Sequence, residues 1–287
     1  MLCVGWLIFF INHISQSVSV NHIIDRIARE TEQVIDELMP RPRTSLYQAD
    51  QPMLAIHGEA IIVCEKSGYV RFIDTRRLVY LARRHGIRVW VQRRIGHFIP
   101  AGVPLLRVSR PDRLTHDLIA ELHGTIDIGP TRTLQQDVEF GVIQIVDIAL
   151  RAISPAVNDP STAISCVDQL SRILIRWVGR ARPPEHMYDP PHVLRVVLPW
   201  ISLEGLLDTA FEQIRQYSAG DIAVSLRLLR AYADIAGTLR EPMLRDVLHR
   251  RAQVVAGCEA RMPGVDLLRL RERAALISLS ASGALPE

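Results

Sequence analysis

A chain of 287 residues can hold one large domain or two ordinary ones, because domains cluster near roughly 100 to 150 residues. Its 48% hydrophobic content is high, yet no window reaches the ~18 to 20 successive apolar residues that a helix needs to cross a bilayer. The 34 basic and 31 acidic side chains leave a net charge of +3, too small to drive nucleic-acid binding, so that partner class is set aside. Cys3, Cys64, Cys166 and Cys258 are widely spaced and form no CxxC pair, the pattern of single buried thiols in a reducing compartment.

Residues 2–14 form an apolar run about half the length of a span, with no basic flank before it and no small-residue cleavage site after it. The run therefore reads as the last turns of a transmembrane helix that begins upstream of Met1, with Trp6 and His13 suited to the interface; a buried N-terminal helix is the plainer alternative. Beyond it, Val20, Ile24, Ile27, Thr31, Val34 and Leu38 alternate spacings of four and three, and Pro40 and Pro42 end the pattern. That seam fits a stalk forming a homo-oligomer, or equally a helix packed on its own domain. Arg26, Arg29, Arg41 and Arg43 follow the apolar run, and the positive-inside bias then expects a membrane-tethered soluble part on the cytoplasmic side.

From 43 to 110 the period changes. Residues 60–63, 69–73 and 87–91 are β-branched or aromatic runs that read as strands, and Asp74 can cap a short helix over 75–84. Two glycine turns flank the apolar stretch inside 95–108, a device of small barrel-like β modules; no lysine stands there to carry a prosthetic group. Arg76, Arg77, Arg83, Arg84, Arg93 and Arg94 give this module a basic surface, either simply solvated or facing anionic membrane lipid.

The remainder reads as helical, with apolar positions at helical spacing over 134–153, 160–178, 193–218, 222–239, 242–261 and 265–279. The fold class expected is α+β: a remnant membrane helix and stalk over 1–40, a small β-rich barrel-like module over 43–110, and a C-terminal helical domain over 131–287.

Polar residues concentrate between 132 and 162. On a helical wheel Asp137, Gln144, Asp147 and Arg151 share about one quadrant, while Glu139 falls in the apolar half, where an ionised carboxylate is costly unless a cation meets it. Asn158 and Asp159 before Pro160 suit a helix start, and Ser154-Pro155 a helix end, so Ser154, Asn158, Asp159 and Thr162 gather at a hairpin corner. A polar or ligand site would draw on Arg132, Asp137, Glu139, Gln144, Asp147, Arg151, Ser154, Asn158, Asp159 and Thr162. Oxygen ligands of this kind suit Mg²⁺ or Ca²⁺, although ten residues of helix place Asp137 and Asp147 about 15 Å apart. A plain polar network holding the hairpin, with Asp147 and Arg151 as an intrahelical pair, is the other reading. His116 and His123, seven residues apart, are a weak metal signal; His186 and His192 read as exposed loop residues; Cys166 has no histidine partner on its helix and reads as packing.

The stretches Gln136-Asp137-Val138-Glu139-Phe140-Gly141, Asp147 through Pro155 and Asn158-Asp159-Pro160-Ser161-Thr162-Ala163 resemble the predicted bacterial membrane proteins catalogued as domain of unknown function 2254. Ser67-Gly68-Tyr69-Val70, the Gly102-Val103-Pro104-Leu105 corner and residues 211–217 extend the resemblance over nearly the whole chain. It implies transmembrane helices followed by a soluble region, and it assigns no cofactor or reaction. No GxSxG, HExxH, P-loop or GxGxxG motif is present. A membrane-anchored, non-enzymatic module for assembly, transport or envelope sensing is the leading expectation. A carboxylate-dependent enzyme using the Asp137 to Asp159 region, with or without a divalent metal, is the competing one.

Overall fold

The computed structural model describes residues 20–39, 59–190, 192–239, 242–257 and 264–281. The apolar run at 2–14, the proline stop at Pro40 and Pro42, Arg41, Arg43, Cys3 and Cys258 lie outside them. The chain is mixed α+β, and it divides into two compact units that interleave along the sequence. One takes Glu37–Phe140 and Ala181–Ile201; the other takes Gly141–Arg180 together with the described parts of Met1–Asp36 and Ser202–Glu287.

In the first unit, strands β1 (Glu59–Val63), β2 (Gly68–Ile73), β3 (Val89–Val91), β4 (Phe98–Ile99), β5 (Pro104–Ser109) and β6 (Ile126–Gly129) surround two short helices. Among the described residues these strands, with two later ones, form two open sheets and close no barrel. The smaller sheet runs β4-β2-β6, and the larger runs β1-β5-β3-β8-β7, in which β7 is His186–Asp189 and β8 is Val193–Val197. Gly96 and Gly102, both at positive φ, turn the chain between them, so β4 pairs with β2 while β5 pairs with β1 and β3. Helix α1 (Val20–Leu38) lies ahead of the strands in sequence. Helix α2 (Thr75–Arg84) begins where Asp74 accepts the Arg77 N–H, as the sequence expects, and buries Leu78, Leu81 and Ala82. Helix α3 (His116–His123) starts with the Thr115 cap.

Residues 193–197 are a strand, not the start of the helix expected over 193–218. Strands β7 (His186–Asp189) and β8 (Val193–Val197) form an antiparallel pair, and β8 runs parallel to β3 with Val89 opposite Val196. The reason is visible in Val193-Leu194-Arg195-Val196-Val197: three β-branched residues favour extended backbone once a partner edge is available. His186 is accordingly a half-buried strand residue instead of an exposed loop one, while His192 is exposed at a φ of 132°.

The second unit is helical: α4 (Val138–Ala152), which starts in the first unit and continues here, α5 (Pro160–Val178), α6 (Leu203–Leu207), α7 (Gln213–Tyr217), α8 (Ile222–Thr238), α9 (Pro242–Ala256) and α10 (Gly264–Ala281). A π-helical turn at Asp208–Glu212 joins α6 to α7. The seam of α1 is buried within this chain at Ile24, Ile27, Thr31 and Val34, whereas Val20 is 44% exposed. Arg172 of α5 reaches Asp25 and Glu32 on α1, and Arg176 and Arg180 both reach Asp36. Gly141 permits α1 and α4 to approach closely: a Cβ there would sit 1.9 Å from Thr31 Oγ1 and 2.9 Å from its Cβ.

Candidate functional site

The first turn of α4 and the loop before it carry the most buried charges of the β-rich unit. Asp137 accepts the Phe140 N–H at 3.0 Å in N-cap fashion, which starts the helix and fixes the carboxylate. The Arg132 guanidinium then meets the same carboxylate side-on, with Nε to Oδ2 and Nη2 to Oδ1 both at 2.8 Å. Nη2 also donates to Glu139 Oε2 at 3.0 Å. From the turn after β3, Arg94 donates through Nη1 and Nη2 to both oxygens of Glu139 at 2.9 Å. Two forked pairs are thus bridged by one shared oxygen, and two cations balance two anions. Asp137 is 3% exposed and Glu139 9%, so the balance is a requirement of burial.

The walls of this cluster are as local as its charges. Gly96, at φ +85°, brings its backbone so close that a Cβ would lie 2.5 Å from both Arg132 Nη2 and Asp137 Oδ2. The Phe140 ring lies under the Arg132 guanidinium, 5.5 Å from its carbon to the ring centroid. Gln136 reaches the other way and accepts the Ile73 N–H at 3.0 Å, tying the loop to the end of β2.

Burial works to raise the Glu139 carboxyl, but the hydrogen bonds and charge of Arg94, then those of Arg132, outweigh it and hold the group below the usual carboxylate value. Burial also weakens the Arg132 cation, and Asp137 and Glu139 more than restore it. His97, beside the cluster, is pushed below the ordinary imidazole value first by burial and next by the Arg94 charge, while Glu139 pulls the other way. At neutral pH the ionised Glu139 carboxylate therefore stands next to a neutral His97 imidazole.

Of the residues the sequence singled out, Arg132, Asp137 and Glu139 converge here, in the β-rich unit. Gln144, Asp147, Arg151, Ser154, Asn158, Asp159 and Thr162 belong to the helical unit. Asp147 and Arg151 are both exposed and form no ion pair among the described residues, so the expected intrahelical pair is absent. The Gln144 Oε1 is buried without a hydrogen-bond partner. At the corner between α4 and α5, Ser154 Oγ donates to the Arg151 carbonyl at 2.7 Å and Asn158 takes a left-handed φ of 51°. Asp159 accepts the Thr162 N–H at 3.1 Å and its hydroxyl at 2.6 Å, bonds that hold the carboxyl below its usual value. These are capping and turn bonds, and they engage Ser154, Asp159 and Thr162 within the corner itself.

Arg94, Gly96, His97 and Gln136 were not among the residues the sequence assigned to a site. By its sequence neighbours Arg94 belongs to a basic surface, yet its side chain is 20% exposed and turns inward to Glu139. The signal for it was Glu139 itself: a carboxylate on an apolar helix face needs a cation from elsewhere in the fold. Among the described residues no three His, Cys, Asp or Glu side chains group to hold a metal, and His116 and His123 simply open and close α3. Burial pushes the Cys166 thiol up to about 12, and Asp159 adds to the shift, which leaves it an unreactive packing residue; Cys64 is likewise buried.

Among the described residues no helix is long and apolar enough to cross a membrane. The chain is 30% identical over 259 residues to the uncharacterized protein Rv1290c of Mycobacterium tuberculosis, a match covering 89% of this chain and 50% of that protein. The same identity and coverage relate it to the uncharacterized protein Mb1321c of Mycobacterium bovis. The chain thus spans about half the length of the curated relatives it matches, and no solved structure matches it. The family profile described as predicted membrane protein, domain of unknown function 2254, matches residues 1–234, and with the Gln136–Gly141 motif now placed around a buried charge cluster, the chain belongs to that family.

Proposed function

We propose that this chain is a non-enzymatic module of a membrane-anchored protein, serving assembly, transport or envelope sensing at a bacterial inner membrane, with its water-exposed part in the cytoplasm. The observation that carries the proposal is the mutual saturation of the buried cluster. Every carboxylate oxygen of Asp137 and Glu139 already accepts from Arg94 or Arg132. A general acid or a metal ligand needs a carboxylate that can release its partner, and forked arginine pairs in a buried setting resist that release. The carboxylate at the helix corner, Asp159, is engaged as a helix cap by the Thr162 N–H and hydroxyl. The anchor in this reading is the apolar run at 2–14, and Arg26 and Arg29 beyond it support the cytoplasmic side through the positive-inside bias.

Calorimetric titration of the protein with Mg²⁺, Ca²⁺, Mn²⁺ and Zn²⁺, alongside Asp137→Asn and Asp159→Asn, tests the absence of a metal site. Heats that match in all three proteins are expected. Saturable binding that either substitution abolishes would overturn the reading in favour of a carboxylate-dependent enzyme. For the topology, a reporter fused after Glu287 should be active in the cytoplasm, and activity confined to the periplasm would reverse the assignment.

A further inference from the structure

We infer that α2 presents an anionic-lipid docking face, with Tyr80 at its centre and Arg76, Arg77, Arg83 and Arg84 around it. The helix Thr75–Arg84 holds four arginines and no acidic residue. At 100° per residue these four and Tyr80 fall within an arc of about 120° centred on Tyr80, and Leu78, Leu81 and Ala82 occupy the opposite side. The structure agrees with the wheel: the three apolar residues are 0 to 1% exposed, Tyr80 is 56% exposed, and all four arginines are exposed.

Local stability accounts for Arg83 and Arg84, whose charges suit the last turn of the helix, but not for the other two. Arg76 and Arg77 stand in the first turn, where the helix dipole disfavours cations, and no acid in that turn offsets them. The Asp74 side chain is engaged as the cap. Asp189 is the acid that meets this face, and it is divided between Arg83 at 3.5 Å and Arg195 at 3.6 Å. At the far end Arg113 caps the helix through the His85 carbonyl at 2.8 Å and adds another cation. Apart from Asp189 the face carries only positive charge, with one amphipathic aromatic ring whose polar tip suits the headgroup layer. A flat array of phosphate-bearing headgroups complements it in charge, and each arginine near such a surface strengthens partitioning by roughly fivefold. A nucleic acid would call for several stacking aromatics, and Tyr80 stands alone on this helix. The inference rests on the membrane-anchored reading only for what keeps the module close to a bilayer.

The test uses the full chain with Cys3→Ser, Cys258→Ser and Tyr80→Cys, labelled at position 80 with an environment-sensitive fluorophore; Cys64 and Cys166 are buried and stay unlabelled. It is mixed with vesicles of phosphatidylcholine alone or of phosphatidylcholine with phosphatidylglycerol. A blue shift is expected only on the anionic vesicles, reversed by added salt. Arg76→Gln, Arg77→Gln and Arg84→Gln should each weaken it about fivefold, while lysine at the same positions preserves it. Because these side chains are exposed, the glutamine variants should melt like the parent, which separates lost docking from lost folding. Equal emission on both vesicle types, an unaffected triple glutamine variant, or a shift given by a short DNA duplex and not by anionic vesicles would each overturn the inference. Co-sedimentation with neutral vesicles reports the anchor separately. Its absence with the anionic shift intact would count against the anchor alone, and its presence without the shift would sink the docking face alone.

Discussion

The two units use the same chemical pair, arginine with carboxylate, under opposite solvent conditions. In the β-rich unit, Arg94, Arg132, Asp137 and Glu139 are packed behind Gly96 and Phe140, with side-chain exposures between 3% and 20%. In the helical unit, Arg172 joins Asp25 and Glu32, and Arg227 joins Asp168, with side-chain exposures between 19% and 39%. Desolvation separates the two cases. Water can rescue a partner left behind at the helix surface, but it cannot reach one left behind in the buried cluster. The buried group is therefore all-or-none, and the surface group is a set of small, replaceable contributions.

The strongest way to break this contrast is Arg132→Ala, which leaves the Asp137 carboxylate without a cation and strips one of the two from Glu139. Loss of about 3–5 kcal/mol is expected in denaturant unfolding. A loss under about 1 kcal/mol would show the cluster to be wetter than its exposure implies. Arg132→Lys should recover only part of the loss, because an ammonium cannot make the forked contact.

Acid probes the same cluster without mutation. Glu139 and His97 are both held below their ordinary values of 4.5 and 6.5. A depressed group gives stability that is complete above its unfolded value and lost as pH falls through its folded value. Melting temperature should therefore begin to fall as pH drops below about 6.5, where unfolded His97 takes up a proton first, and fall further below about 4.5 as Glu139 is neutralised. His97→Gln should remove the upper part of the decline and leave the lower. An unchanged profile in that variant would assign the upper part elsewhere.

A smaller effect is expected from Gly141→Ala in the helical unit, where the added methyl meets the β-branched Thr31. Its hydroxyl is committed to the Ile27 carbonyl at 2.7 Å, so the side chain cannot easily swing aside. Overpacking of this kind costs typically 1–3 kcal/mol. Thr31→Ala in the same chain should restore most of it, and failure of that rescue would move the close contact elsewhere on α4.

What the sequence made legible divides along the range of the interactions. Helix α2, with Asp74 as cap, and helix α5, with Asp159 before Pro160, are readable because caps and periodicity lie within a few residues of each other. Strand β8 is not legible as a strand because Val193–Val197 is too short for periodicity to decide, and its partner β3 lies about a hundred residues earlier in the chain. Within the cluster, Arg132, Asp137 and Glu139 fall inside eight residues and drew attention together. Arg94 sits 45 residues from Glu139, and nothing in its neighbours distinguishes it from the exposed arginines of α2. Asp147 and Arg151 mark the converse error: i,i+4 spacing permits an ion pair, and water on an exposed face removes most of the reason to form one.

The least disruptive change expected is Arg227→Ala. Arg227 on α8 meets Asp168 on α5 through both Nε and Nη2, a forked contact, yet the two side chains are 31% and 38% exposed. Coulomb attraction there is discounted by nearby water, so a loss of about 0.2–1 kcal/mol is expected. That loss should shrink further as salt is raised. Measured beside Arg132→Ala at low and high ionic strength, it sharpens the comparison to one quantity: the surface pair should respond to salt and the buried cluster should not. If both lose stability equally and with equal salt dependence, burial is not what separates the two sets of charges, and the structural role given to the cluster goes with it.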